Sequence, residues 1–397
     1  MNDPELDLAH AIAESEPLAA APRLGSRHRR ATRAVFLVAG LAMGAWAPLV
    51  PYAKARAGID EATLGLLLLS LGFGSLLAMP VTGGIAARAG CRRVILASGA
   101  ALCLVLPWLA WLSSLPGLAL ALFGLGAAIG TFDVAINLQA VAVEKDRGRA
   151  LMSGFHGYFS IGGIVGAGAV SALLWLGTTP LAATLAVAVA LAALLLYAAS
   201  GLLREGDRES HGGLLPALPR GAVAVIGALC FVVFLAEGAM LDWSALLLRD
   251  ERGVPAALAG VGYAAFAAAM SLGRMTGDRV VQRLGPSRVF LGGALCAAIG
   301  FALAAGVDAA PVALFGFALV GLGASNLVPI LFTAAGRQRA MPASAAVSAI
   351  STLGYAGLLV GPALIGFVAH RIGLLWAFAL LAAGLAAVAA NARTVRA

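Results

Sequence analysis

Apolar and polar positions along this chain fall in long blocks rather than alternating turn by turn. Apolar runs occupy residues 34–53, 62–87, 94–112, 117–143, 150–176, 181–203, 221–248, 256–273, 289–307, 310–335, 343–369 and 372–390, with short polar links between them. As helices rising 1.5 Å per residue, such runs are long enough to cross a hydrocarbon core about 30 Å thick. Strands of a membrane barrel would instead show stretches of roughly ten residues with alternating polarity, and the sequence contains none. The pattern predicts an all-α membrane protein of twelve transmembrane helices, with successive helices antiparallel.

The polar segments set the organisation. Residues 1–33 begin acidic (Asp3, Glu5, Asp7, Glu14, Glu16) and turn basic (Arg23, Arg27, Arg29, Arg30, Arg33), which reads as a polar tail and not a signal peptide. The longest internal link, 204–220, carries Arg204, Glu205, Asp207, Arg208 and Glu209. It divides the chain into halves of six helices, 34–203 and 221–390, followed by a short tail at 391–397.

The halves show matches at one offset of 197 residues. Ala42, Met43 and Trp46 match Ala239, Met240 and Trp243, and Gly65 matches Gly262. The run Gly124–Leu125–Gly126–Ala127 returns as Gly321–Leu322–Gly323–Ala324, and Gly157–Tyr158 returns as Gly354–Tyr355. An offset spanning six helices relates segments of like orientation. The expected fold is therefore two parallel six-helix halves related by an axis along the membrane normal.

Composition agrees. The chain is 61% hydrophobic and 12% charged, with mean hydropathy +0.94, where soluble domains are roughly 45–50% apolar and about 25% charged. The net charge of +8 could point to nucleic acid, but the placement of the charges points to topology. With both termini on one side, twenty-two of the 27 Lys and Arg lie on that side, which the positive-inside rule makes cytoplasmic. The remainder are Lys54, Arg56, Arg249, Arg252 and Arg371. The reading is a multi-pass protein of the plasma membrane, most simply a bacterial inner membrane, with cytoplasmic termini. Its partners are the bilayer and a small-molecule solute, and no nucleic acid. Cys91, Cys103, Cys230 and Cys296 have no metal-ligand spacing and sit in or beside apolar runs.

Two parallel halves joined by a central cytoplasmic loop resemble the major facilitator superfamily. Its signature between the second and third helices, G-x-x-x-D-R-x-G-R-R, stands here as Gly83-Gly84-Ile85-Ala86-Ala87-Arg88-Ala89-Gly90-Cys91-Arg92-Arg93, with Ala87 at the aspartate position. A second-half echo runs Gly273-Arg274, Gly277-Asp278-Arg279 and Arg283-Leu284-Gly285-Pro286-Ser287-Arg288. Asp133-x-x-x-Asn137, Phe155-His156-Gly157 with Ser160-x-Gly162-Gly163, and Glu237 to Ser244 resemble the fucose-permease-like, YbjJ-type branch. The resemblance implies alternating access, a monomer, no cofactor and no catalysis of a chemical reaction. It also implies that Arg88, Arg92, Arg93, Arg274, Asp278 and a nearby anion form the inner gate. With Ala87 in place of the aspartate, Glu144 is the expected anion facing Arg88, Arg92 or Arg93.

Ionisable side chains near mid-membrane are costly and mark candidate sites. Asp133 and Glu237 each lie sixteen residues into their runs. Each reads as a proton-binding or solute-binding carboxyl, or else as a structural hydrogen-bond acceptor. His156 titrates near neutral pH when accessible, or is simply bonded to a neighbour such as Ser160. Candidate solute contacts are Trp46, Asn137, Glu237, Asp242, Trp243, Asn326 and Tyr355. Asp242 alternatively pairs with Arg249 or Arg252, and Asn326 alternatively satisfies backbone freed by Pro329. Trp46 and Trp243 are expected to flank the cleft symmetrically, or to belong to an interfacial belt.

These residues point to a secondary transporter moving a small polar solute with protons, and the branch resemblance implies a sugar-like one. The alternative is a proton-coupled exporter of drugs or metabolites. Absence of the loop aspartate, and of any proline between 150 and 176, counts against that alternative. A non-transporting receptor on the same scaffold would gain nothing from two mid-membrane carboxylates.

Overall fold

The structure, a computed structural model, describes residues 24–204, 218–255, 258 and 260–395. The tail before Leu24, the part of the central link holding Glu205, Asp207, Arg208 and Glu209, and Arg396 lie outside the described residues.

Among the described residues the helices follow one another as twelve rods. In the first half these are α1 (Ser26–Trp46, continued by Val50–Ala57), α2 (Glu61–Ala89), α3 (Cys91–Trp111), α4 (Leu115–Arg147), α5 (Met152–Trp175) and α6 (Pro180–Ala199). The second half holds α7 (Ala222–Leu246, prolonged by a π turn over Leu247–Glu251), α8 (Val261–Leu284) and α9 (Pro286–Gly306). It is completed by α10 (Ala310–Ala324, then Leu327–Arg337), α11 (Ala343–Ile372) and α12 (Leu374–Ala390). Ten of the rods are both long and apolar enough to cross a membrane, and α12 is apolar but shorter. The remaining one, α8, carries Arg274, Asp278, Arg279 and Arg283 along its second half. Large apolar side chains stand outward around the bundle. Trp175 is 85% exposed and Leu196 77%, as a lipid-facing surface requires.

Two helix boundaries differ from the sequence expectation in ways that matter. α1 starts at Ser26, so Arg27, Arg29, Arg30 and Arg33 ride on its first turns. α8 does not stop at Gly273 but continues to Leu284, because a buried stripe at helical spacing (Met270, Arg274, Gly277, Val281) runs straight through the charged stretch.

The first half packs α2 on α4, α1 on α5, and α3 on both α4 and α6. The second packs α8 on α10, α7 on α11, and α9 on both α10 and α12. Each pair of the second set is the first set moved on by six helices. The halves meet through α2 on α11 and through α5 on α8, two contacts that the same operation exchanges.

Small residues make the close approaches, as helices in lipid need. A Cβ on Gly126 would strike the Leu71 carbonyl, and one on Gly321 would strike that of Phe266. Gly162 and Gly166 lie on the carbonyls of Leu37 and Leu41, while Gly357 lies on that of Phe231 and Gly361 faces Leu235. The paired glycines are 195 residues apart. So are Gly90 and Gly285, each the single residue between two helices and each at φ +83°, a conformation glycine adopts without strain. Their packing partners on α1 and α7 are 194 apart.

The offset of 197 read from the sequence is therefore two to three residues too long. Identity among alanines and glycines arises easily, whereas a shared backbone contact fixes register. By packing, Trp46 corresponds to Met240 and Glu237 to Met43, so Trp46 and Trp243 are not symmetry mates.

Candidate functional site

α4 places three polar side chains on one face, Asp133, Asn137 and Glu144, at intervals of four and seven residues. Asp133 lies at mid-helix and lines a small cavity of about 10 Å³, shared with Ala39, Leu102, Ile129, Phe132, Phe159 and Tyr355, room for about one water molecule. Tyr355 belongs to the other half, on α11, with its ring 5.9 Å from that of Phe234 on α7. Among the described residues no cation pairs with Asp133. Asn137, one turn on, is fully buried. Its Nδ2 donates to the Asp133 carbonyl at 2.9 Å, and its Oδ1 has no hydrogen-bond partner.

Glu237 of α7 meets Arg274 of α8, with Oε2 and Nη2 3.7 Å apart. Arg274 also crosses to the first half, where its Nη1 donates to Ser160 Oγ on α5 at 3.1 Å. The sequence places Arg274 among the gate arginines, but extension of α8 as a helix carries it inward to the level of Glu237. Tyr355, which lines the Asp133 cavity, packs against Phe234 one turn before Glu237 on α7, so the carboxylates of the two halves lie on either side of the same aromatic contact. Glu237 Oε1 and Arg274 Nε are buried without a hydrogen-bond partner.

The His156 ring lies between Phe36 of α1, at 5.2 Å, and Phe332 of α10, at 5.9 Å. The alternative of a ring bond to Ser160 is not realised. Ser160 Oγ donates instead to the His156 backbone carbonyl at 3.3 Å, the usual i−4 bond of a serine in a helix, and His156 Nε2 is left without a partner.

Asn326 sits where α10 breaks, three residues before Pro329. Its Nδ2 donates to Ser325 Oγ at 2.9 Å and to the Gly273 carbonyl at 3.4 Å, while Oδ1 faces Gly277 without a partner. Trp46 is buried. The Trp243 ring packs over Gly366 of its own half, and its Nε1 is buried and unpartnered. Asp242 is exposed and pairs with neither Arg249 nor Arg252. Arg249 is taken by the adjacent Asp250 at 2.6 Å, and Arg252 by Asp308 at 3.5 Å and the Ala304 carbonyl at 2.7 Å.

Nearer the arginine-rich end the halves are stitched together. The expected pairing of Glu144 with Arg88, Arg92 or Arg93 is not formed. Its Oε2 accepts from the backbone N–H groups of Leu151 and Met152, at 2.7 and 2.8 Å, and its Oε1 accepts from Thr333 of α10 at 2.5 Å. The α5 N-terminus, with unsatisfied N–H groups and a positive dipole end, attracts the carboxylate more closely than the arginines at the adjoining ends of α2 and α3 do. Asp278 Oδ1 accepts from the Gly154 N–H at 3.0 Å, and Gln282 donates to the Ala150 carbonyl at 2.9 Å. Ser348 of α11 donates to the Met79 carbonyl of α2. Ala87 and its counterpart Gln282 show that neither half keeps an aspartate at that position. Arg88, Arg92 and Arg93 decorate this end without entering the seam. Among the described residues no cluster of three or more His, Cys, Asp or Glu could hold a metal ion.

Thr333, Gln282, Ser348 and Ser160 carry the seam, and sequence reading missed their role. Each is a neutral residue whose partner belongs to the other half. Arg274 did leave a signal, the buried stripe that continues through α8.

The bundle has known likenesses. Residues 34–350 match the family model described as Major Facilitator Superfamily. An uncharacterized MFS-type transporter of Yersinia pestis is 58% identical over 371 residues, covering 94% of this chain and 96% of the relative. The fucose:proton symporter of Escherichia coli superposes with TM-score 0.75 at 17% identity, covering 92% of this chain and 98% of that one. A proton:xylose symporter superposes with TM-score 0.74 at 12% identity, covering 93% and 94%. At such identities the structural likeness concerns the fold.

Proposed function

The chain belongs to the major facilitator superfamily and is a multi-pass membrane transporter of that family, and we propose that it moves a small polar, sugar-like solute together with protons by alternating access. One observation carries the reading. A carboxylate from each half, Asp133 and Glu237, stands at mid-helix near groups of the opposite half, Tyr355 for Asp133 and Arg274-bound Ser160 for Glu237, and the two differ in their surroundings. Glu237 stands beside Arg274 and keeps one carboxylate oxygen unpartnered, a setting that suits a solute hydroxyl. Asp133 stands beside its cavity with no cation, a setting that suits loading and unloading of a proton. A solute that binds better to one protonation state then links the two gradients, because coupling is a reciprocal free energy between bound species. The fucose:proton and proton:xylose symporters of like fold make a sugar-like solute the first class to test.

The seam at the arginine-rich end, which we assign to the cytoplasm by its charge, corresponds to a state closed inward. Glu144, Thr333, Asp278 and Gln282 would form its inner gate, and Trp46, Asn137, Asn326 and Tyr355 would line the path.

The test has two stages. A thermal-shift screen of purified protein against neutral sugars, polyols and sugar acids identifies a stabilising solute, since a ligand stabilises the state that binds it. Uptake of that solute into proteoliposomes is then measured with and without an inward proton gradient. Accumulation only with the gradient supports proton coupling, whereas gradient-independent equilibration contradicts it.

A further inference from the structure

Arg274 spends its best hydrogen bond on a neutral group. Its Nη1 donates to Ser160 of the opposite half at 3.1 Å. The carboxylate of its own half, Glu237, stands at 3.7 Å from Nη2, beyond hydrogen-bond distance. Charge-assisted guanidinium–carboxylate bonds are about twice as strong as neutral ones and close to about 2.8 Å, often as two parallel bonds. The two atoms that a closed pair would join, Arg274 Nε and Glu237 Oε1, are both buried and unpartnered. The Arg274 side chain is only 9% exposed, so water does not readily substitute for the missing bonds. The pair is slack while Arg274 bonds Ser160.

The position of these helices makes that slack consequential. α5 and α8 pack across the boundary between halves, with Gly157 against Met275 and Gly277 against Ser153. Any motion that opens the arginine-rich end separates α5 from α8 and must break the bond between Arg274 and Ser160. Arg274 and Glu237 lie on neighbouring helices of one half and stay together through the same motion.

Resting on the transporter reading above, we infer that Arg274 changes partners during the cycle, from Ser160 when the arginine-rich end is closed to a bidentate pair with Glu237 when it is open. In the closed state Glu237 Oε1 is free to accept from a solute hydroxyl. In the open state the guanidinium occupies that carboxylate and displaces the solute. Arg274 is thus a positioning residue that sets the direction of solute release.

The experiment uses no solute. Spin labels are placed on Lys145→Cys and Arg283→Cys, at the arginine-rich ends of opposite halves, and the distance distribution of the full-length protein is measured. Ser160→Ala removes the closed-state partner and is expected to raise the open fraction about tenfold, the worth of one hydrogen bond to a charged group. Adding Glu237→Gln to Ser160→Ala removes the open-state partner and is expected to return the distribution toward wild type. Arg274→Gln should make the protein insensitive to Ser160→Ala.

If Ser160→Ala leaves the distribution unchanged, or the double variant stays as open as Ser160→Ala alone, Arg274 is a fixed strap and the inference is wrong. Should Arg274→Gln fail to fold, the comparison of Ser160→Ala with its Glu237→Gln double variant decides alone. A wrong assignment of solute or coupling ion would show in the uptake assay and leave these distances untouched.

Discussion

The Thr333 hydroxyl on α10 donates to Glu144 on α4 at 2.5 Å, while the other oxygen of the same carboxylate holds the first N–H groups of α5. One side chain therefore closes the seam between halves and caps the helix beside it. The two duties can be separated. Thr333→Val removes the cross-half bond and leaves the cap, so it should shift the protein toward the open arginine-rich end by about tenfold. Glu144→Ala removes both and should also lower thermal stability. Spin-label distances across that end, with melting temperature beside them, check both outcomes. Equal distances in wild type and Thr333→Val would remove Glu144 and Thr333 from the gate.

A second prediction concerns packing. A methyl group on Gly162 would press on the Leu37 carbonyl, whereas one on Gly168 meets nothing within 4 Å. Gly162→Ala should destabilise the protein by about 1–3 kcal/mol through overpacking, and Gly168→Ala should be nearly neutral. Thermal unfolding of the two variants in the same detergent compares them directly. Equal melting temperatures would contradict the close approach of α1 and α5.

Orientation is tested by labelling. Lys54→Cys and Arg249→Cys should react with a membrane-impermeant thiol reagent added to intact cells, and Arg93→Cys and Arg208→Cys should react only after lysis. External labelling of Arg93→Cys would invert the topology and place the stitched seam outside.

The spans, their number and the two-half plan were legible in the sequence because lipid imposes a long apolar run wherever a helix crosses it. The candidate acids were legible for the same reason, since a carboxylate inside such a run stands out. Register was not. Ala42 and Trp46 align with Ala239 and Trp243 by letter, but the contacts of Gly44 with Gly163 and of Gly238 with Leu358 pair the helices three residues differently. The corrected register shows that the scaffold repeats and its chemistry does not. Asp133 corresponds to Val328, Glu237 to Met43, Arg274 to Met79 and His156 to Ser351. The partners of Glu144 and Arg274 were hidden because each bond joins residues from different halves, and a neutral Thr333 or Ser160 gives no sign of its role until the halves are packed together.

On the reading proposed above, Asp133 carries the proton that powers transport. Asp133→Asn keeps the size and hydrogen-bonding capacity of the side chain and removes its titration. The most direct measurement takes wild type and Asp133→Asn in proteoliposomes, with the stabilising solute, and records both solute exchange at equal pH and accumulation under an inward proton gradient. The variant is expected to retain exchange and lose gradient-driven accumulation. If Asp133→Asn concentrates its solute against a gradient as wild type does, Asp133 is structural and the claim fails.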